Sequence, residues 1–376
     1  MTAASLQVGI AGAGSVALGT AALLCRNGHS AMLWSPSGAS TLQLADGTPL
    51  VSTGAVEGSF HPMVAADARH LAESADVILI ALPAYGHKAA MDALAPHIRE
   101  GQPILISSHT SLGALYLSGL LASFGISAPI TAWGTTVVTG RRKRAAEVNV
   151  NTLRAQVDIC TVPDSATDAA LSLCERLFGK RFVRRDGLLA ISLSNLNPQN
   201  HMGIALGNIS RMDRGETWSQ GQNVTPRIGS LLEALDLERL EIAAALGLKV
   251  RTIFEHFHLS FHVPIASISE MNRKMHELGN GGTGPATADS RYVTEDVPYG
   301  LVATCILGEL AGRPAKLHNA GIEIFSAMYG RNFWAENDLL TALELSRFSL
   351  EDLLEAARSG ILNDSMTAAP GELSKL

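Results

Sequence analysis

The feature that most constrains the fold is a glycine-containing turn near the N-terminus. Residues 6–11 form a short apolar run typical of a buried parallel strand, and residues 18–26 form an Ala/Leu-rich helical stretch. Between them the chain has the spacing G-x-G-x-x-A over residues 12–17. In a strand–turn–helix setting the first glycine makes the tight turn, the second admits a pyrophosphate, and the alanine packs on the sheet. The sequence therefore predicts a dinucleotide site that includes Gly12, Gly14, Ser15 and Val16.

Further short apolar runs predict a doubly wound parallel sheet of the Rossmann type over the first half of the chain. They cover residues 31–34, 76–82, 103–107, 130–139, 147–150 and 157–162, with helical patterns at 86–97 and 167–178. Ligands of such sheets bind outside the carboxyl ends of the strands. Cofactor contacts are therefore also expected at Leu82, Pro83, Ala84 and Ser108.

The end of the second strand bears on the choice between NAD and NADP. Proteins that bind the adenosine 2′-hydroxyl usually carry an acid there, whereas this chain has Ser35, followed by further hydroxyl residues such as Ser37. No carboxylate stands at that position to repel a 2′-phosphate, although no Arg or Lys occurs between Arg26 and Arg69. We therefore expect NADP, with NAD as the alternative, and Ser35 and Ser37 among the contacts.

Composition and charge exclude several classes of protein. The net charge of −6 argues against a nucleic-acid or acidic-membrane binder, and the one basic cluster, residues 141–144, is expected in a solvated turn. The four cysteines lack metal-ligand spacing, so no metal is expected and they are interpreted as buried thiols. Without a leader-like or membrane-spanning apolar segment, we expect a cytoplasmic protein.

Helical periodicity replaces the strand pattern from about Gly187 onward, and 376 residues suffice for two domains. The sequence therefore predicts a dinucleotide-binding domain at residues 1–186 and an all-helical domain at residues 187–376. The glycine-rich stretch 279–285 fits either a mobile lid or a plain linker.

Two stretches of the second half carry candidate chemistry. Asn197 before Pro198 favours a helix start with Asn197 as the cap, which places His201 in the first turn and Asn208 on the same face. The stretch 290–300 contains Arg291, a residue type that grips carboxylates with two hydrogen bonds, and Asp296, a type that can orient an imidazole. Alone, Arg291 and Asp296 are most often surface or helix-capping residues, and the stretch with His201 is more typical of an ordinary capped surface helix.

Taken together, these segments resemble the opine dehydrogenase family, the octopine and nopaline dehydrogenases, over nearly the whole chain. The matching segments are Gly12-Ala13-Gly14, residues 75–80 with Pro83, Asn195-x-Asn197-x-x-x-His201, residues 224–226 and 236–239, and Arg291-Tyr292-x-x-Glu295-Asp296-Val297. Residues 34–36 and 54–58 look closest to the nopaline synthase branch, which uses NADPH. The resemblance implies that His201 is the catalytic histidine, Asp296 its carboxylate partner, Arg291 the oxo-acid-binding arginine and Asn208 a further active-site residue.

The resemblance also implies the reaction: NADPH-dependent condensation of a 2-oxo acid, of the pyruvate or 2-oxoglutarate type, with the amine of an amino acid through an imine. The expected partners are these small molecules, with a homodimer as the assembly considered. Two other functions stay open. An NADP-dependent 2-oxo acid or ketopantoate-type reductase relies on a lysine of the second domain, and no Lys occurs between Lys180 and Lys249. A non-catalytic NADP-binding sensor needs only the glycine turn.

Overall fold

The computed structural model describes residues 4–362, which divide into two units. The first contains residues 4–192 and 346–362, and the second contains Leu193–Leu345. The sequence places the domain boundary at 186/187, six residues before this division. It also assigns residues 346–362 to the second domain, whereas the structure groups them with the first unit.

The first unit contains all the strands of the described residues. They are β1 (Gln7–Ala11), β2 (Ser30–Trp34), β3 (Leu50–Gly54), β4 (Gly58–Phe60), β5 (Met63–Val64), β6 (Val77–Ile80), β7 (Ile104–Ile106), β8 (Ile130–Trp133), β9 (Val138–Arg144), β10 (Glu147–Leu153), β11 (Val157–Val162) and β12 (Phe182–Arg184). Eight strands form one sheet in the order β12-β11-β8-β7-β6-β1-β2-β5. The run β5-β2-β1-β6-β7-β8 is parallel and has the strand order of a Rossmann sheet, with β11 antiparallel to β8. The predicted fold of this half is confirmed.

Helices connect these strands. They are α1 (Ser15–Arg26), α2 (Leu42–Ala45), α3 (Ala68–Ser74), α4 (His87–Leu94), α5 (Gly113–Ser123) and α6 (Thr167–Phe178), and α7 (Gly187–Ser194) contains the division between the units. A core of buried aliphatic side chains from β1, β2, β6 and α1 includes Ile10, Leu18, Leu33 and Leu79. This apolar packing holds the strand–turn–helix of the glycine motif in place.

A second, four-stranded sheet in the order β4-β3-β10-β9 is absent from the sequence prediction. It packs on α1, where a Cβ built on Gly19 would lie 3.2 Å from side-chain atoms of Val138 and Val150. The run 130–139 therefore contributes to two sheets, as β8 and as the start of β9. The expected solvated turn at residues 141–144 is wrong, because these residues lie in β9 and pair with β10. As an edge strand, β9 accommodates charged side chains.

The second unit is helical, as predicted. Its helices are α8 (Asn197–Asp213), α9 (Gln220–Asn223), α10 (Pro226–Ala245), α11 (Ile253–Phe261), α12 (Ile268–Glu277), α13 (Arg291–Thr294), α14 (Val302–Leu310), α15 (Lys316–Tyr329) and α16 (Asp338–Leu343), with a π-helical turn at Val297–Leu301. The only β-type pairing in this unit's described residues is an isolated bridge between Ser219 and Thr283.

The start of α8 differs from the prediction by one residue. Leu196 is the N-cap residue, and the cap makes no side-chain hydrogen bond. Asn197 is already helical, and its backbone N–H donates to Oδ1 of Asn195 at 3.1 Å. His201 is therefore the fifth helical residue and lies in the second turn rather than the first.

In the glycine-rich stretch 279–285, residues 281–285 are hydrogen-bonded to residues 218–221. Gln220 N–H donates to Gly282 O at 3.2 Å, Gly221 N–H to Gly281 O at 2.9 Å, and Gly284 N–H to Trp218 O at 3.0 Å. A Cβ on Gly284 would lie 2.2 Å from the Trp218 ring, so glycine permits this close approach. These bonds favour a fixed loop over the mobile lid that the sequence left open.

The last described helix, α17 (Leu350–Ser359), belongs to the first unit. Ser118 Oγ on α5 donates to Gly360 O at 2.7 Å, and Leu362 lies against Gly119. The first unit is therefore assembled from two separate parts of the chain. Among the described residues, no helix is both long and apolar enough to cross a membrane.

Candidate active site

The second unit brings His201 and Asp296 together across 95 positions of sequence. Nδ1 of His201 lies 2.7 Å from Oδ2 of Asp296, and the two side chains are 17% and 11% exposed. Because an ionised carboxylate only accepts hydrogen bonds, Nδ1–H is the donor, which leaves Nε2 as the other functional nitrogen. Nε2 makes no hydrogen bond to any described residue. A histidine oriented through Nδ1 in this way can exchange a proton at Nε2.

Tyr292 covers one face of the imidazole. Its ring stacks on His201 with the centroids 3.6 Å apart and the planes 9° apart, and its hydroxyl donates to Oε1 of Gln220 at 2.6 Å. Burial raises the pKa of Tyr292 to about 12, so the phenol stays protonated near neutral pH. The sequence patterns assigned no role to Tyr292 or Gln220. The signals for Tyr292 were its place in the segment Arg291-Tyr292-x-x-Glu295-Asp296-Val297 and its position four residues before Asp296.

Backbone geometry places the carboxylate. Tyr292 lies in α13, where Ser290 caps the helix by accepting from Tyr292 N–H, and Asp296 stands directly before the π-helical turn. π-helical turns are frequent at functional sites. Asn337 Nδ2 donates to Pro298 O at 2.8 Å and so anchors the turn.

A buried ion pair fixes the start of the histidine's helix. Asp236 and Arg239 on α10 are each 2% exposed, and Arg239 Nη2 lies 2.7 Å from Asp236 Oδ1. The same oxygen accepts from Nε2 of Gln199 on α8 at 3.0 Å, and Arg239 Nη1 donates to Leu193 O at 2.6 Å. Because a buried pair with satisfied donors is costly to rearrange, it holds α8 in register with α10.

The remaining predicted substrate residues occupy different settings. Arg291 is 67% exposed and is gripped by Glu295, with Nε 3.2 Å from Oε2 and Nη2 3.3 Å from Oε1. Asn208 lies two turns beyond His201 on α8, is buried, and donates Nδ2 to Ile204 O at 3.0 Å. The guanidinium of Arg291 is therefore already engaged in an ion pair with Glu295, one residue before Asp296.

The glycine turn of the first unit has the features that a dinucleotide needs. Gly12 has φ +134°, and a Cβ there would lie 2.3 Å from Ala81 O, so only glycine fits this turn. Gly14 is the N-cap residue of α1, and a Cβ there would meet no atom within 4 Å. No side chain caps α1 and no acid lies in its first turn, which leaves N–H groups available to a pyrophosphate. These residues fit the cofactor.

The other predicted cofactor residues also lie at the carboxyl ends of parallel strands. Ser35 and Ser37 follow β2, with their Oγ atoms 3.3 Å apart. Leu82, Pro83 and Ala84 follow β6, and Ser108, at φ +60°, follows β7. Ser15 and Val16 open α1 and are partly exposed. No cluster of metal-ligating side chains occurs in residues 4–362.

Two family models match the chain. The α-helical domain of NAD/NADP octopine/nopaline dehydrogenase matches residues 184–329, and ketopantoate reductase PanE/ApbA matches residues 8–109. A curated opine dehydrogenase of Arthrobacter sp. (strain 1C) is 30% identical over 332 residues, which cover 87% of this chain and 91% of the relative. The chain belongs to the opine dehydrogenase family. It is therefore an NAD(P)-dependent oxidoreductase that acts on CH–NH bonds.

Solved structures show the same fold. Octopine dehydrogenase with NADH and L-arginine superposes with a TM-score of 0.80 at 15% identity, covering 96% of this chain and 99% of that enzyme. The same enzyme has also been solved with NADH and pyruvate. NADP⁺-bound yersinopine dehydrogenase gives a TM-score of 0.67 at 14% identity, covering 90% of this chain and 98% of that one. Neighbours of this opine dehydrogenase therefore bind either nicotinamide cofactor.

Proposed function

We propose that this opine dehydrogenase condenses a 2-oxo acid with the amine of an amino acid and uses NADPH to reduce the resulting C=N bond. The observation that carries the proposal is the 2.7 Å contact between His201 Nδ1 and Asp296 Oδ2, with Nε2 unbonded among the described residues. The arginine and pyruvate named in the octopine dehydrogenase structures support the two substrate classes.

His201 supplies the proton. Attack of the amine on the ketone gives a carbinolamine, whose hydroxyl leaves as water only when it is protonated. In the proposal His201 Nε2–H donates that proton, while the Asp296 carboxylate holds Nδ1–H and balances the imidazolium charge. Loss of water leaves a C=N bond. Gly12, Gly14, Ser15 and Val16 would hold a reduced nicotinamide dinucleotide, which would supply the hydride needed to reduce this C=N bond.

Arg291 binds the carboxylate of the 2-oxo acid in this proposal. Glu295 engages Nε and Nη2 of the guanidinium, which orients the side chain and leaves Nη1 without a described partner. Asn208, on the face of α8 that carries His201, is the further substrate contact.

The direct test is NADPH oxidation with a panel of 2-oxo acids, with and without each amino acid. Opine synthesis requires oxidation that depends on the amine and a product in which the amine nitrogen is bonded to the former carbonyl carbon. His201→Ala and Asp296→Asn should each lower the amine-dependent rate by about a hundred- to ten-thousand-fold, with NADPH binding nearly intact. His258→Ala, an exposed histidine of the same unit, is the matched control. Normal turnover by His201→Ala would refute the assignment.

A reductase of the ketopantoate type is the second candidate, because a ketopantoate reductase model matches residues 8–109. That family model lies within the cofactor-binding half of the chain and does not reach His201 or Asp296. Oxidation of NADPH with an oxo acid alone, at the same rate with and without amines, would support this reductase instead. Binding of NADPH without any oxidation would support the sensor.

A further inference from the structure

The basic cluster of β9 contributes an arginine to the two segments that surround the adenosine end of a Rossmann cofactor. Arg142 Nη1 donates to Ala13 O at 3.2 Å, inside the glycine turn. Its Nη2 donates to Ser40 O at 3.0 Å, in the loop that follows β2. The backbone N–H of Arg142 also donates to Ser15 Oγ at 2.9 Å. One residue thus joins the glycine turn, the start of α1 and the loop after β2.

The guanidinium is fixed but not neutralised. Its remaining described bonds run to Arg144 O at 3.2 Å and Ala145 O at 2.7 Å, so every acceptor is an uncharged carbonyl. No carboxylate of the described residues pairs with it. Of the five guanidinium N–H donors, four have carbonyl partners and one on Nη1 has none. A positive charge is therefore held in one orientation with a donor to spare.

The neighbouring cations do not share this position. Lys143 Nζ lies 3.4 Å from Thr53 Oγ1 on β3, and Arg144 Nη1 lies 3.5 Å from Glu147 Oε1. The Arg144 side chain is 79% exposed and forms an ion pair. In residues 4–362, the hydrogen bond from the basic cluster to the loop that contains Ser35 and Ser37 is the one that Arg142 Nη2 donates to Ser40 O.

We propose that Arg142 is the residue that recognises the 2′-phosphate of NADP, together with the hydroxyls of Ser35 and Ser37. This inference rests on the cofactor part of the proposed function. Ser35 stands where NAD-binding proteins carry an acid for the 2′-hydroxyl, and the loop after β2 supplies no cation of its own. The cation comes instead from β9, 102 positions beyond Ser40. An arginine suits a phosphate because its charge persists throughout the physiological pH range.

The experiment is direct calorimetric binding of NADPH and NADH, and of the fragments 2′,5′-ADP and 5′-AMP, to wild-type protein and variants. Arg142→Gln should weaken the binding of NADPH and 2′,5′-ADP by about 10- to 100-fold. The affinities for NADH and 5′-AMP should stay within about twofold of the wild-type values. Arg142→Lys keeps the positive charge but loses the two-pronged guanidinium. Its affinity for NADPH and 2′,5′-ADP should lie between those of the wild type and Arg142→Gln. Arg144→Gln removes one charge from the same strand and should change neither affinity by more than about twofold.

Each other outcome overturns the inference. Equal losses of NADPH and NADH affinity in Arg142→Gln would make Arg142 a structural clamp or a pyrophosphate contact. If Arg142→Gln does not fold, the wild-type fragments decide, since equal affinity for 2′,5′-ADP and 5′-AMP excludes a 2′-phosphate site. If the 2′-phosphate role of Arg142 is refuted, amine-dependent turnover of the wild-type enzyme with NADH would still support the proposed opine reaction. The two proposals can therefore fail separately.

Discussion

At the scale of single residues, two side chains hold the His201 ring in different ways. Asp296 holds one nitrogen of the ring, and Tyr292 covers one face, with its hydroxyl bonded to Gln220. The stack restricts rotation of the imidazole and places an aromatic face against a ring that becomes cationic in the proposed cycle. Aromatic faces stabilise cations. We therefore expect Tyr292 to be a positioning residue rather than a proton donor.

Two substitutions of Tyr292 test this role. Tyr292→Phe keeps the stacked ring and should change kcat only a few-fold, whereas Tyr292→Leu removes the ring and should lower kcat by about 3- to 30-fold. The pH–rate profile of kcat should move in Tyr292→Leu and stay in place in Tyr292→Phe. A loss of thermal stability without any movement of the profile would show that the tyrosine merely fills space.

At the scale of secondary structure elements, α17 shows how a terminal segment completes the first unit. Gly360 ends the helix at φ +75°, and a Cβ there would lie 2.5 Å from Val162 Cγ1 and 2.8 Å from Ser118 Oγ. The glycine is therefore needed both for the left-handed turn and for close approach to β11 and α5.

Gly360→Ala should lower the free energy of unfolding by about 1–3 kcal/mol, because it adds overpacking to backbone strain. Gly330→Ala is the matched control, since Gly330 also ends a helix at φ +61° but has open space around its Cβ position. The control should show only the strain, about 1 kcal/mol. Urea unfolding of both variants measures the difference, and equal losses would contradict the packing of Gly360.

At the scale of the whole molecule, buried histidines set how the first unit responds to acid. Burial lowers the pKa of His87 to about 4, and burial with the nearby His87 lowers that of His109 to about 3. Nδ1 of each ring is buried without a partner among the described residues. Both rings therefore fold in the neutral form.

The sign of the pH effect follows from these values. An unfolded histidine titrates near 6.5, so the folded state is at full stability above about pH 6.5 and loses stability as the pH falls toward 4. The loss should be on the order of 3 kcal/mol for either histidine. Urea unfolding between these pH values measures the free energy of unfolding. Its pH dependence should be weaker than in the wild type for His109→Gln and unchanged for His61→Gln, an exposed control. Equal slopes in both variants would contradict the assignment.

The amino-acid sequence by itself determined the features that depend on neighbouring residues. The glycine turn and the short apolar runs predicted the Rossmann sheet, because tight turns and burial of parallel strands leave local patterns. Helical periodicity predicted the second unit in the same way. The resemblance to opine dehydrogenases named His201 and Asp296, which neither spacing nor composition could have paired.

Tertiary structure decided which residues that are distant in sequence come into contact. The contacts of His201 with Asp296, Arg142 with Ser40, and Ser118 with Gly360 join residues 95, 102 and 242 positions apart. A charge run looks the same in a solvated turn and on an edge strand, because local composition does not record which distant carbonyl accepts a guanidinium. The second sheet, the stacked tyrosine and the return of α17 to the first unit therefore emerged only from the folded chain.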